Sequence, residues 1–357
     1  MKHKYVRRGL ALLSICFLCL TIFATVLDVG QKNAALATDA ASSEELPDLP
    51  EDYFLDDPDE EDIDEMDFID MSNADLETND NLPNDYFNIM LCGLDTRVRG
   101  GRARSDSMLI CSIHRKTGEI KLTSIARDSY LYIGGNKGMQ RINAAYVYGG
   151  PEMAMWALNH NFDMNISYYI TVDFWGLVDI VDAIGGVDVE LTNGEIFLIN
   201  SANEKMDGPQ THSAQLTRGA GVRHLDGAQA LAFSRIRHLD NDFMRTGRQR
   251  KVLEAIGNKV LTQINPMQIA GLIDAMLPYV RTNLKLNDIL MLGMAVLGGE
   301  PMKKAAAGEF AIPQLLLPAT GYFKFEMNQG QSVLGLDLKG NTRLLHEFIY
   351  GQVYSRK

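Results

Sequence analysis

From Phe87 onward the chain reads as short apolar runs separated by polar turns. FNIMLCGLD and SMLICSIH are almost continuously apolar, the pattern of strands buried on both faces. EIKLTSIARD alternates and reads as a third strand. The apolar positions of Pro151 to Asn161 recur at helical period, and SYYITVDF returns to strand. FWGLVDIVDAI, Phe174 to Ile184, spaces its apolar residues three and four apart and meets Gly185-Gly186, a pair suited to closing a helix. VDVEL reads as a strand. GAQALAF reads as a short helix that Asp226 can cap. Asp242 can cap a longer helix from Phe243 to about Gln263, stopped by Asn265-Pro266. Two further apolar helices are expected at about 266–277 and 286–298. A strand–turn–strand, YFKFEMNQGQSVLGLDL, and a helix, NTRLLHEFIYG, close the chain. Strands mixed with helices predict a layered α/β or α+β domain, without internal repeats.

The pattern before Phe87 is of another kind. MKHKYVRRG is basic, and LALLSICFLCLTIFATVL, Leu10 to Leu27, carries no charge. At about 1.5 Å of rise per residue this run approaches the roughly 30 Å hydrocarbon thickness of a bilayer. A secretory signal has the same order of parts, but Ala35-Leu36-Ala37 is a weak cleavage site. The expectation is a cytoplasmic tail at 1–9 and an uncleaved transmembrane anchor at 10–29. By the positive-inside rule everything after it is extracytoplasmic. Asp39 to Asp85 holds 20 acidic residues and no Lys or Arg. Residues 30–85 therefore read as a disordered, self-repelling linker, and 86–357 as the folded domain.

Charge changes the picture once this linker is set aside. The net charge is −12, but Asp39 to Asp85 holds −20 and the first 38 residues +4, so residues 86–357 are mildly basic, at +4. Cys92 and Cys111 fall in the first two strands, as a disulfide if those strands pair suitably or as two buried thiols. Cys16-x-x-Cys19 lies in the apolar run and carries no zinc spacing.

Three clusters hold candidate chemistry. SRIRHLDNDFMRTGRQRK, residues 234 to 251, packs five arginines and a lysine beside two aspartates. If Ser234 to Arg237 is extended, Arg235 and Arg237 share a face. Arg245, Arg248 and Gln249 share a face of the following helix start, where anions are already favoured. Guanidinium pairs suit phosphate oxygens; surface pairing with Asp240 and Asp242 is the plainer alternative. In GLDTRVRGGRARSDSMLI, Asp95 ends one strand and Asp106 starts the next. Both carboxylates thus come to one edge, either as turn residues or as Mg²⁺ ligands. In SIARDSY, Arg127-Asp128 follows a strand, as a surface ion pair or at that same rim. A basic patch could also serve nucleic acid, but an exported domain rarely meets it.

GLDTR, RSDSMLI, TSIARDSY, RINAAYVYGG, VDFWGLVDIVDAIGGVDV, LDGAQALAFSRIR and DNDFMRTGRQRKVLEAI, in this order, resemble the LytR-CpsA-Psr family over about residues 88–263. The resemblance implies an α/β/α layered domain with a central mixed sheet behind one transmembrane helix. It implies transfer of a glycopolymer, such as teichoic acid or capsule, from a polyprenyl diphosphate carrier to peptidoglycan with Mg²⁺. Asp95 and Asp106 then match metal ligands, and Arg104 and Arg127 arginines at the diphosphate. Arg235, Arg237, Arg245 and Gln249 match further head-group ligands, with Arg248 beside them. Val252, Leu253, Ile256, Val260 and Leu261 could line a lipid channel or form an ordinary core. Asp128, or water on Asp95, is a candidate base. Ala126 departs from the family, whose members often carry Pro before the Arg-Asp. Other readings compatible with the sequence are a lipid-diphosphate-binding or regulatory protein without turnover, a diphosphatase, and, if the body were cytoplasmic, a DNA-binding regulator.

Overall fold

The computed structural model describes residues 68–94, 103–205, 214–236, 248, 251–252, 255–256, 259, 280–301, 303, 312–328 and 330–356. The expected anchor and most of the linker lie outside this set, as do the expected Asp242 cap and the 266–277 helix. No helix among the described residues is long and apolar enough to cross a membrane. The chain divides into two compact units, Asp62–Asp173 with Val280–Lys357, and Phe174–Tyr279.

The first unit is built on a six-stranded mixed sheet. Its strands are β1 (Tyr86–Leu94), β2 (Ser105–His114), β3 (Ile120–Ile125), β6 (Tyr168–Asp173), β9 (Val280–Thr282) and β10 (Gln314–Leu317), in the order β10-β3-β2-β1-β6-β9. β1 pairs antiparallel with β2 and parallel with β6, and β3 pairs parallel with β10. Phe87 to Cys92 are buried without interruption, so both faces of the central strand are covered, as its unbroken apolar run predicts. A second sheet carries β4 (Ser129–Tyr132), β5 (Met139–Arg141), β11 (Phe323–Asn328) and β12 (Gln331–Leu336), in the order β11-β12-β4-β5.

One core joins the two sheets. Met90, Cys92 and Leu94 meet Met108, Ile110 and Leu131, together with Ala154, Leu158 and Phe162 of α1 (Asn143–Phe162) and Leu345 and Ile349 of a C-terminal helix (Leu338–Tyr350). Each Leu, Ile, Met and Phe side chain among these contributes about 1.5–3 kcal/mol by leaving water. α1 starts earlier than the sequence pattern suggests and bends at Gly149-Gly150, so that Pro151 opens its second half, where a missing N–H costs nothing. Cys92 and Cys111 are buried free thiols. Cys92 faces Met108 and Cys111 faces Ile89, so the pairing of β1 with β2 does not oppose them.

The acidic segment corrects an expectation. From Ile69 on it is docked rather than linker: Ile69 donates to the Tyr148 carbonyl, and Ile69, Met71, Leu76 and Leu82 pack on the core. Asn79 is 1 % exposed and its amide donates to the Asp163 carbonyl. The few apolar residues among the carboxylates outweigh the charge pattern here.

The second unit holds α2 (Phe174–Ala183), the β7 (Val187–Leu191) and β8 (Gly221–Leu225) antiparallel pair, α3 (Asn193–Lys205) and α4 (Gly227–Arg235). Gly185 and Gly186 follow α2 at positive φ, as the sequence predicts. Asp226 and Gln229 form a reciprocal capping box at the start of α4, and the Gly227 N–H donates to Asp182 at 2.7 Å. A Cβ on Gly227 would collide with the Val178 backbone, so glycine permits the close approach of α2 and α4.

Candidate active site

One edge of the six-stranded sheet collects the candidate residues of the first unit. Leu94 ends β1 opposite Ser105, the first residue of β2, and beside Asp173, the last of β6. Ile125 ends β3 beside Leu317. Ends of strands from an open α/β sheet commonly border ligand sites. Between Leu94 and Gly93 the register with β2 slips: Leu94 faces Ser105 and Gly93 faces Ser107, which makes Asp106 the extra residue of a bulge. Bulges of this kind re-aim a strand next to functional sites. Half-buried Arg104 precedes it. Asp95 follows Leu94 in sequence and lies outside the described residues. Asp173 brings a further acidic position to this edge, and in the sequence nothing separates it from an ordinary strand end.

The turn after β3 is held from several sides. The Ala126 N–H donates to the Leu317 carbonyl at 2.8 Å, Ser129 donates to Ala126 at 3.1 Å, and the Asp128 carbonyl accepts from Leu334 at 2.9 Å. The first of these explains why the departure at Ala126 leaves the turn intact: alanine supplies an N–H that proline lacks. Above this backbone, Asp128 stands between two guanidinium groups, Arg127 Nε at 3.7 Å and Arg141 Nε at 3.5 Å. All three side chains are more than two-thirds buried, and Arg141 Nη2 also donates to the Ser332 carbonyl at 2.7 Å. The sequence reading missed Arg141. A lone arginine in a three-residue strand carries no signal, and only the pairing of Arg141 with Tyr130 brings it beside the turn.

Two hydroxyls next to these residues have no hydrogen-bond partner although they are buried, Ser105 Oγ beside the bulge and Ser129 Oγ after Asp128. Such groups are uncommon and cost stability unless something binds them. Cys92 offers no nucleophile, because burial pushes its thiol far up. Burial likewise raises the Tyr146 phenol, whose hydroxyl meets Thr171 at 3.3 Å.

The second unit carries the arginine stretch. Ser234 and Arg235 are helical, not extended: the capping box starts α4 at Gly227 and its buried face runs on through Ser234, whose hydroxyl donates to the Leu231 carbonyl. Arg248 is 4 % exposed, and its Nη2 donates to the Ile236 carbonyl at 2.8 Å. Val252 and Ile256 are buried. Arg237, Arg245, Gln249, Leu253, Val260 and Leu261 lie outside the described residues. No group of three or more His, Cys, Asp or Glu side chains is placed to hold a metal among the described residues.

This mixed α/β fold is shared with solved structures of one family. Residues 59–330 match the LytR_cpsA_psr family, and the chain belongs to it. It is 29 % identical over 267 residues to the polyisoprenyl-teichoic acid–peptidoglycan teichoic acid transferase TagU of Enterococcus faecalis, covering 73 % of this chain and 78 % of that protein. It is 36 % identical over 198 residues to the TagU of Bacillus cereus, covering 55 % of this chain and 60 % of that one. A solved structure of TagT bound to LI-WTA has a TM-score of 0.55 at 25 % identity, covering 76 % of this chain and 96 % of TagT.

Proposed function

We propose that this chain is a membrane-anchored, extracytoplasmic phosphotransferase that moves a teichoic acid or similar glycopolymer from a polyprenyl diphosphate carrier to peptidoglycan. The observation that carries the reading is the arginine–aspartate turn beside the bulge at Asp106, in a chain whose relatives are named for this transfer. The names of those relatives supply the two substrates. The uncharged run Leu10–Leu27, within the segment 10–29, supplies the anchor.

In the proposed reaction a peptidoglycan hydroxyl attacks the phosphorus next to the polymer's first sugar. A sugar-oxygen–phosphorus bond forms, the bridging phosphorus–oxygen bond breaks with its electrons on polyprenyl phosphate, and the hydroxyl proton is released. Phosphoryl transfer needs positioning and charge stabilisation more than covalent help. Arg127 donates to the transferring group, and Arg104 to its neighbour. Asp128 is taken up by Arg127 and Arg141, which suits it to holding both guanidiniums in place rather than to accepting the proton. Asp95, which follows β1 in sequence, and Asp106, in the bulge of β2, are hard oxygen donors of the kind Mg²⁺ takes, and they are the residues that would hold it. A bound Mg²⁺ would offset phosphate charge. In the second unit, Arg235, Arg237, Arg245 and Gln249 are assigned to diphosphate. The buried Arg248 supports this by fixing the backbone between Arg235 and Arg237.

The test gives the full chain in detergent a short polyprenyl-diphosphate-linked saccharide, Mg²⁺ and peptidoglycan oligomers, and seeks the phosphodiester conjugate by mass spectrometry. A conjugate that disappears in Asp106→Ala supports the transferase. Sugar phosphate without conjugate would make the protein a diphosphatase, and bound lipid with no product would make it a binding protein.

A further inference from the structure

Among the described residues β11 is an edge strand of the second sheet, and one of its faces is apolar and exposed. Phe323, Phe325 and Met327 alternate onto that face; Phe325 is 78 % and Met327 71 % exposed. Phe323 and Phe325 meet edge to face at 5.4 Å. The face begins as core, because Leu336 opposite Phe323 packs inward, and then overhangs the unit. Surface-exposed aromatic and methionine side chains in a row of this kind mark a binding surface more often than a lone exposed residue does.

The overhang is tied to the candidate active site. β12 runs parallel to β4, with Leu334 level with Ser129. The Leu334 N–H donates to the Asp128 carbonyl, Arg141 donates to the Ser332 carbonyl, and the Asn328 amide bonds the Tyr130 hydroxyl. Met327 pairs with Ser332 and Phe325 with Leu334, so both stand level with the Arg127-Asp128 turn. Two strand spacings separate β11 from β4, about 10 Å in all.

We propose that this hairpin face is the docking ledge for the uncharged glycan backbone of the acceptor. The inference rests on the transferase reading for the meaning of the glycan, but not for its binding. Charge selects the occupant. Arg104, Arg127 and Arg141 at the rim suit a phosphorylated donor, whereas on the hairpin Lys324 and Glu326 offset one another on the opposite face. An anionic lipid surface would be served by clustered cations, which the described hairpin lacks. A neutral sugar chain is served by what is present: apolar side chains for the C–H faces of the rings, and the polar groups of Asn328, Gln331, Ser332 and Tyr130 along the border for their hydroxyls and amides.

The test compares the full chain in detergent with Phe325→Ser/Met327→Ser, whose exposed positions leave the core intact, checked by thermal unfolding. Soluble, uncrosslinked glycan strands of alternating N-acetylglucosamine and N-acetylmuramic acid, with the lactyl carboxyls capped as amides so that the chain is uncharged, are the probe, titrated calorimetrically. The ledge predicts about tenfold weaker glycan binding in the variant, unchanged binding of a polyprenyl diphosphate, and a raised KM for acceptor at similar kcat. Equal glycan affinity in both proteins, or none in the wild type, overturns it. Loss of anionic-vesicle binding, or of a dimer, with glycan affinity kept, assigns the face to lipid or to a second copy instead. If the variant loses glycan binding while neither protein forms a conjugate, the ledge stands and the transfer reaction falls.

Discussion

The two ends of the β1–β2 pair treat their polar groups in opposite ways. At the far end, Asn88 is 4 % exposed and completely engaged. Its amide donates to Asn165 at 2.6 Å and to the Tyr350 hydroxyl at 2.7 Å, and its carbonyl accepts from Ser112 at 2.6 Å. Arg115 there stacks on Phe87 at 4.6 Å, with its Nε unpaired. At the other end, the strand bulges, Ser105 and Ser129 keep buried hydroxyls without partners, and one carboxylate stands between two arginines. A satisfied buried network fixes a fold; an unsatisfied one beside concentrated charge is kept for something that binds. One sheet therefore has a structural end and a chemical end.

The largest expected effect breaks the chemical end alone. Arg127→Ala should lower the rate of conjugate formation by about 10²–10³-fold, the scale for losing one charge-stabilising donor. Its melting temperature should stay near wild type, as differential scanning fluorimetry would report. Asn88→Ala should do the reverse. It strands the Asn165, Tyr350 and Ser112 groups and costs about 1–3 kcal/mol in urea unfolding, with transfer retained at permissive temperature. Ser105→Ala sharpens the contrast. Removing a hydroxyl that has no partner should leave urea stability unchanged or slightly higher, while diphosphate affinity falls severalfold.

The smallest effect concerns pH. His346 is buried; its Nε2 meets the Phe162 carbonyl at 3.0 Å and its Nδ1 accepts from Tyr354 at 3.2 Å, the pattern of a neutral ring. Burial holds it below its ordinary 6.5. The unfolded chain therefore takes up the proton first. Stability should be complete above pH 6.5 and decline as pH falls from there towards the lower folded value. His346→Gln should flatten that part of the pH–stability curve.

Much of the chemical end was legible because strands are short and their order is readable. The unbroken apolar runs of β1 and β2 mark the two strands in the sequence, and the structure pairs the end of β1 with the start of β2. Asp226 as a cap and Gly185-Gly186 as a stop were legible for the same local reason. What escaped depends on distant pairing. Arg141 reaches Asp128 through the β4–β5 register, and the hairpin reaches the turn through Leu334. The helical state of Ser234 and Arg235 escaped because a polar Ser-Arg pair hides the continuing buried face of α4. The docking of residues from Ile69 escaped because four apolar side chains were scattered through a run dominated by carboxylates.

The most direct measurement is a structure of the full chain with a polyprenyl diphosphate bound. The account predicts phosphate oxygens within hydrogen-bond distance of the Arg127 guanidinium, beside Asp106 and the Ser105 hydroxyl. A diphosphate seated at the Asn88 and Arg115 end, or held with Arg127 still engaged only by protein, would contradict it.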